Sequence, residues 1–224
     1  MHPLDNPVWH ALTGPQKTVA QGDGLALRYD PAFAPFAGLP DARPAESWAA
    51  LGELVGAGGV AVLVGDVVPA EGWSEAFRIS TLQMVATDVT AGPDTRLESL
   101  GLADADEMLA LVGRTNPGPF AARTVELGDY VGVRDDDGGL VAMAGTRMRV
   151  DGFTEISAVC TDVSHRGSGL GTRLVLALVG RIQARGEVAC LHVMRENLEA
   201  IRLYEAIGFT TRREGDVVGL RSPA

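Results

Sequence analysis

Cys160-Thr161-Asp162-Val163-Ser164-His165-Arg166-Gly167-Ser168-Gly169-Leu170-Gly171-Thr172 is the stretch that decides how this chain is read. An apolar run ends at Thr161 and three glycines follow at alternate positions. Leu170, Leu174, Val175, Leu178, Val179 and Ile182 then recur at helical spacing, and Gly186 marks the stop. The N–H groups of such a turn and of the first helical turn have no internal partner. With the helix dipole behind them, they make an anion site. Glycine at 167, 169 and 171 would let the main chain approach a pyrophosphate with no side chain in the way. The segment lacks the Gly-Lys-Ser/Thr of a Walker loop and the Gly-x-Gly-x-x-Gly spacing, so a phosphate-loop hydrolase and a dinucleotide-binding protein are disfavoured.

Working outward, Phe153–Thr161 and Val188–Val193 read as the strands on either side of the helix 170–185. Asn197–Ile207 reads as a second helix, stopped by Gly208, and Val217–Leu220 as a closing strand. Upstream, Tyr130–Arg134 and Leu140–Arg149 are strands around Asp135-Asp136-Asp137-Gly138-Gly139, a hairpin loop. Three adjacent carboxylates in an extended turn cannot all face one ion, so no metal site is read there. Leu102–Val112 is a helix with Asp104 and Asp106 in its first turn, and Leu82–Ala86 a strand.

The first 95 residues differ from the rest. They hold all three tryptophans and eleven acidic residues against four basic, a net −7 within a chain of net −10. Ser47–Val55 has helical spacing, Val60–Val64 reads as a buried strand, and Asp30–Phe36 as an ordered loop. A seam is expected at Gly92-Pro93-Asp94, dividing an accessory α/β region, 1–91, from a second unit, 92–224, whose first strand begins near 82.

The chain has 224 residues, 46% of them hydrophobic, which is enough to bury a core. An acidic chain without a basic run is a poor nucleic-acid binder. No apolar run is long enough to span a membrane, and the first residues lack a signal-peptide pattern, so a cytoplasmic protein is expected. Cys160 and Cys190 match no metal spacing and sit in apolar runs, as buried free thiols would.

Arg166-Gly167-Ser168-Gly169-Leu170-Gly171 resembles the Arg/Gln-x-x-Gly-x-Gly/Ala signature of the GCN5-related N-acetyltransferases (GNAT). About 30 residues later, Asn197-Leu198-Glu199-Ala200-Ile201-Arg202-Leu203-Tyr204-Glu205-Ala206-Ile207-Gly208-Phe209 resembles their second signature, Asn-x-x-Ala-x-x-x-Tyr-x-x-x-Gly-Phe. Glu155–Thr161 is most similar to the FR47-like branch, which includes the C-terminal part of glycine N-acyltransferases. The resemblance covers roughly Leu82 to Leu220 and departs from the family at Val163, where many members have proline.

It implies an α/β fold with a mixed sheet of about seven strands and helices on both faces. Residues 1–91 would be an accessory unit or a degenerate second copy of that fold, walling one side of the acceptor cleft. Two strands, here Phe153–Thr161 and Val188–Val193, would splay to admit the pantetheine arm of acetyl-CoA, the co-substrate. Val159, Cys160 and Thr161 would line that arm, with the main-chain groups of Val159 and Thr161 pairing to it. The turn Arg166, Gly167, Ser168, Gly169, Leu170, Gly171 and Thr172 would take the pyrophosphate, Arg166 either reaching a phosphate or bracing the turn. Asn197 would touch the cofactor or cap its helix, two roles that do not exclude each other.

The implied reaction is direct acetyl transfer to a primary amine, with no metal. Tyr204 would be the acid that protonates the departing sulfur; helical spacing alone also fits a core aromatic there. The base is Glu155, at the start of the cofactor strand, or His192, on the second splayed strand. Neighbouring Ser164 and His165 do not make a hydrolase triad without an elbow motif. The acidity of the first 95 residues would favour a cationic acceptor. A homodimer is among the states open to such a protein. The competing expectation is a silent acyl-CoA-binding regulatory module.

Overall fold

The computed structural model describes residues 2–92 and 94–224. Met1 and the Pro93 of the expected seam lie outside the described residues. In chain order the elements are α1 (Pro7–Thr13), β1 (Ala20–Gly22), β2 (Leu27–Tyr29), β3 (Ala37–Gly38), α2 (Ala45–Val55), β4 (Val60–Val64), β5 (Ser74–Val85) and β6 (Glu98–Leu100). They continue with α3 (Ala105–Thr115), β7 (Tyr130–Arg134), β8 (Leu140–Val150), β9 (Phe153–Thr161), α4 (Leu170–Gln183), β10 (Val188–Met194), α5 (Leu198–Ile207) and β11 (Thr210–Arg221).

Among the described residues, eight strands form one mixed sheet in the order β4-β11-β5-β10-β9-β8-β7-β6. β10 and β9 run parallel and the other neighbours antiparallel. Helix α4 covers one face because its apolar stripe, Leu174, Val175, Leu178, Val179 and Ile182, meets small residues, Ala142, Ala144 and Ala189, on the strands below. All five stripe residues are fully buried, and each contributes roughly 1.5–3 kcal/mol by leaving water. On the other face, α3 packs over β7–β9 through Met108 and Leu111, and α1 packs through Val8 and Leu12 beside Met148 and Val64.

The sheet crosses the division read at residue 92. β5 lies between β10 and β11, and β4 forms the edge beyond β11, so two of the eight strands come from the first 91 residues. The sequence reading of Leu82–Ala86 caught only the buried end of β5, whose first seven residues are exposed. It likewise caught only the buried end of β11. The first 91 residues are not a second copy of the fold. They hold a separate antiparallel sheet, β1-β2-β3, with strands of two or three residues, and give β4 and β5 to the main sheet.

The acidic triplet is the hairpin loop its composition suggests. Asp135 Oδ1 accepts from the N–H groups of Asp137 and Gly139, at 3.1 and 2.8 Å, and Gly138 has φ +84°. No helix among the described residues is long and apolar enough to cross a membrane. No cluster of three metal-ligating side chains occurs among them.

Candidate active site

β9 and β10 pair only from Val188↔Phe153 to Cys190↔Glu155. Beyond that point β9 continues along β8 and β10 along β5, so the two strands splay and leave a gap. Backbone direction alternates along a strand. The Asp162 N–H donates to Val141 O of β8 at 2.7 Å, which turns the main-chain groups of Thr161 and Val159 toward the gap. Cys160 turns the other way. It pairs with Met143, and its thiol is buried in the cluster under α3, so strand alternation removes it from the lining of the gap.

Two bulges bracket the start of the splay. On β9 an extra residue falls between the pairs Gly145↔Ser157 and Met143↔Cys160, with Ala158 at φ +53°, an unfavourable backbone for a residue with a side chain. On β8 an extra residue falls between Thr146↔Ile156 and Arg149↔Thr154, and Arg147 lies within it. This bulge places the Arg147 guanidinium on Glu155, Nε to Oε2 at 3.0 Å and Nη2 to Oε1 at 3.1 Å. Glu155 also takes His192 Nδ1 at 2.8 Å.

The Glu155 carboxyl is 2% exposed. Burial alone would raise its pKa, but the Arg147 charge and the hydrogen bonds of His192 and Arg147 hold it well below the usual carboxylate range. Glu155 is therefore a fixed anion. Gln83 Nε2 lies 3.1 Å from His192 Nε2. The same amide nitrogen donates to Leu4 O, and its oxygen accepts from Arg212 Nη1. That network orients the amide so that its N–H faces Nε2, a pattern in which Nδ1–H donates to Glu155 and Nε2 accepts from Gln83.

The first 40 residues seal this pair. Gln16 donates to Arg147 O at 2.7 Å and accepts from the Arg149 N–H, and Phe36 lies under the guanidinium, 4.7 Å from Cζ to ring centre. A cleft reaches His192 between Leu4, Asp5, Thr81, Gln83 and Gly215. The carboxylates around it are paired: Asp5 with Arg212 and Arg213, Asp216 with Arg78, Glu214 with Arg195. The expected pull on a cationic acceptor thus has no free carboxylate behind it here.

Tyr204 lies on the opposite face, in the cluster that contains Leu191 and Val193 of β10, 5.8 Å from the Phe209 ring. It is 8% exposed, and burial pushes its phenol up to about 12, so it stays protonated. Its place is that of the core aromatic its helical spacing allows.

Gly167 and Gly169 have φ +77° and +78°, a region that disfavours side chains. Among the described residues, the N–H groups of Gly167, Ser168, Gly169, Leu170, Gly171 and Thr172 find no acceptor. Arg166 braces the turn, its Nε donating to Thr161 O at 3.3 Å. Asn197 caps α5, its Oδ1 accepting from the Ala200 N–H at 3.1 Å. His165 Nδ1 lies 2.9 Å from Ser164 Oγ on the exposed turn. Burial pushes both cysteine thiols up in pKa, and neither is placed as a nucleophile.

Sequence reasoning missed Arg147, Gln83 and Gly145. A charged residue inside the apolar run Leu140–Val150 was the available signal for Arg147, and an isolated strand glycine the signal for Gly145.

A strand gap thus lies beside a glycine turn whose six N–H groups have no acceptor among the described residues. Residues 130–218 match the FR47-like protein family. The chain is 39% identical to a protein of known structure from Novosphingobium aromaticivorans DSM 12444, named "Putative Acetyltransferase from the GNAT family", with a TM-score of 0.90 and 100% of both chains covered. It is 37% identical over 128 residues to the N-alpha-acetyltransferase RimI of Mycobacterium tuberculosis, covering 54% of this chain and 78% of that protein. It is 39% identical over 67 residues to the N-acetyltransferase YobR of Bacillus subtilis, a match spanning 27% of that protein. The chain belongs to the GNAT superfamily and is an acyltransferase, and the FR47-like match lies in its residues 130–218.

Proposed function

We propose that this protein moves an acetyl group from acetyl-CoA directly to a primary amine. The observation that carries the reading is the splay of β9 from β10, with His192 and Glu155 on one face and Tyr204 on the other. The pantetheine arm would lie between the strands against main-chain groups of Val159 and Thr161. The N–H groups of Gly167–Thr172 would hold the pyrophosphate. Bound acetyl-CoA would supply an electrophilic acyl carbon and a thiolate leaving group.

His192 is the base in this reading. Its Nε2 carries the lone pair, and Glu155 fixes the tautomer and stabilises the imidazolium that forms. The amine would reach Nε2, directly or through one water, in the place of the Gln83 N–H. Glu155 is the weaker candidate, because a carboxylate that Arg147 and His192 hold ionised has little affinity for another proton. Tyr204, kept protonated by burial, would donate toward the sulfur. The RimI relative bears the name N-alpha-acetyltransferase, so α-amino compounds are the first acceptors to try.

The test is acetyl-CoA-dependent thiol release with a panel of amines. Tyr204→Phe should lower kcat at least ~10-fold while leaving the Kd for CoA nearly unchanged. An unchanged kcat would remove Tyr204 from the mechanism. No thiol release above the amine-free background with any amine would favour the silent binding module instead.

A further inference from the structure

The cleft over His192 continues along β5. His192 is opposite Gln83, and Gln83, Thr81, Ile79 and Phe77 follow one another on the same sheet face. Ile79 is opposite Val217 of β11, and Val217 is opposite Val64 of β4, which lines the cleft. The floor beside Thr81 is bare, because Gly215 has nothing within 4 Å of where a Cβ would sit. At the far end the Phe77 ring lies across Gly219, where a Cβ would meet Cε1 at 2.2 Å. Ile79 and Phe77 are left 38% and 40% exposed, and neither joins an apolar core cluster among the described residues. Single exposed apolar residues are ordinary, whereas apolar residues in a row leading out of a cleft mark a place for a ligand. The charges along the way neutralise one another: Arg213 meets Asp5 and Asp66, and Arg78 meets Asp216 and Glu75. No free carboxylate on this path receives a second cation, while Leu4, Pro7 and Val64 give the cleft an apolar wall.

We propose that this strip extends the acceptor cleft and that Ile79 is a specificity residue. The acceptor is a primary amine carried on an unbranched apolar chain, whose far end rests on Ile79 and Phe77. This rests on the acetyltransferase reading above, with His192 as base, and deepens it by naming the acceptor class. The span fits. Ile79 is four residues from Gln83, roughly 13 Å along the strand. An extended chain advances about 1.2 Å per bond, so an amine held at His192 reaches Ile79 with about ten carbons. Laying such a chain over Gly215 and against Ile79 takes apolar surface of both out of water. A charge at the same end would lose hydration with no counter-charge to receive it. The strip therefore selects for chain length and for an uncharged end.

The experiment measures kcat/KM, at saturating acetyl-CoA, for butylamine, decylamine and the α,ω-diamine of decane. Wild type should favour decylamine over butylamine at least ~10-fold, and the diamine, with a second cation at its far end, should do no better than butylamine. Ile79→Ser should lower the decylamine-to-butylamine ratio at least ~5-fold. Gly215→Val, which raises the floor where there is room for a side chain, should lower it too. Each preference is a ratio within one preparation, so partial unfolding cancels. No preference for decylamine in wild type, a diamine as good as decylamine, or a ratio unchanged in both variants overturns the proposal, while turnover of butylamine keeps the acetyltransferase reading. A dimer in solution that Ile79→Ser dissociates would give the strip to a second copy of the chain and overturn the proposal as well. Acetylation of some other amine but of none of these three overturns the proposal alone. No thiol release above the amine-free background with any amine overturns both.

Discussion

His192→Gln is expected to lower kcat/KM for the best amine acceptor by about 10²–10⁴-fold, the range that general base catalysis supplies. Glutamine is the informative replacement. Its amide N–H groups can donate to Glu155, and its oxygen can accept from Gln83, so both hydrogen bonds of the imidazole have a substitute. It has no basic lone pair. The Tm and the Kd for CoA should therefore stay close to wild type while turnover collapses. A rising pH should restore part of the rate in the variant, because more of the free amine then arrives already deprotonated. A variant with wild-type turnover would return the base role to another group.

Glu155→Gln should have the largest effect on stability. Arg147 is 8% exposed, and its guanidinium is neutralised by Glu155. Removing the anion leaves a buried charge unpaired, at a cost of about 3–5 kcal/mol. For a chain of this size that corresponds to a Tm drop of roughly 6–20 °C. The double variant Arg147→Met with Glu155→Gln should recover much of the loss, since a neutral pair avoids both desolvation penalties.

The pH dependence has a definite sign. The folded-state pKa of Glu155 lies below its unfolded value, so the pair contributes fully above the ordinary carboxylate range. That contribution is lost as pH falls from about 4.5 toward about 2. Thermal unfolding followed across that window should show a steeper acid loss in wild type than in Glu155→Gln. Equal slopes would mean that the pair contributes nothing to acid stability.

How much was legible in the sequence follows from the range of the interactions involved. The strand–turn–helix at 160–172 was readable because glycines, apolar periodicity and helix start are neighbours in the chain. The helix 198–207 and its Asn197 cap were readable for the same reason. The place of β5 was not, since the Gln83↔His192 and Glu214↔Leu82 pairings join segments more than 100 residues apart, and exposed residues 74–80 give no alternation to mark a buried strand. The bulges were also hidden. Ala158 carries no signal of its φ, and Arg147 reaches Glu155 only because β8 gains a residue there. Glu155 and His192 were both singled out as rival bases, but only the strand register shows them bonded to each other. Arg147 holds Glu155 as an anion, which is why the proposed mechanism gives the base role to His192.

Calorimetric titration of the purified protein with acetyl-CoA, with CoA and NADH as comparisons, tests the central claim most directly. The gap between β9 and β10 and the free N–H groups of Gly167–Thr172 predict one site per chain, with micromolar affinity for both CoA forms and none for NADH. Heat from NADH but from neither CoA form would contradict the account, because the glycine turn would then serve a dinucleotide and the strand gap no pantetheine.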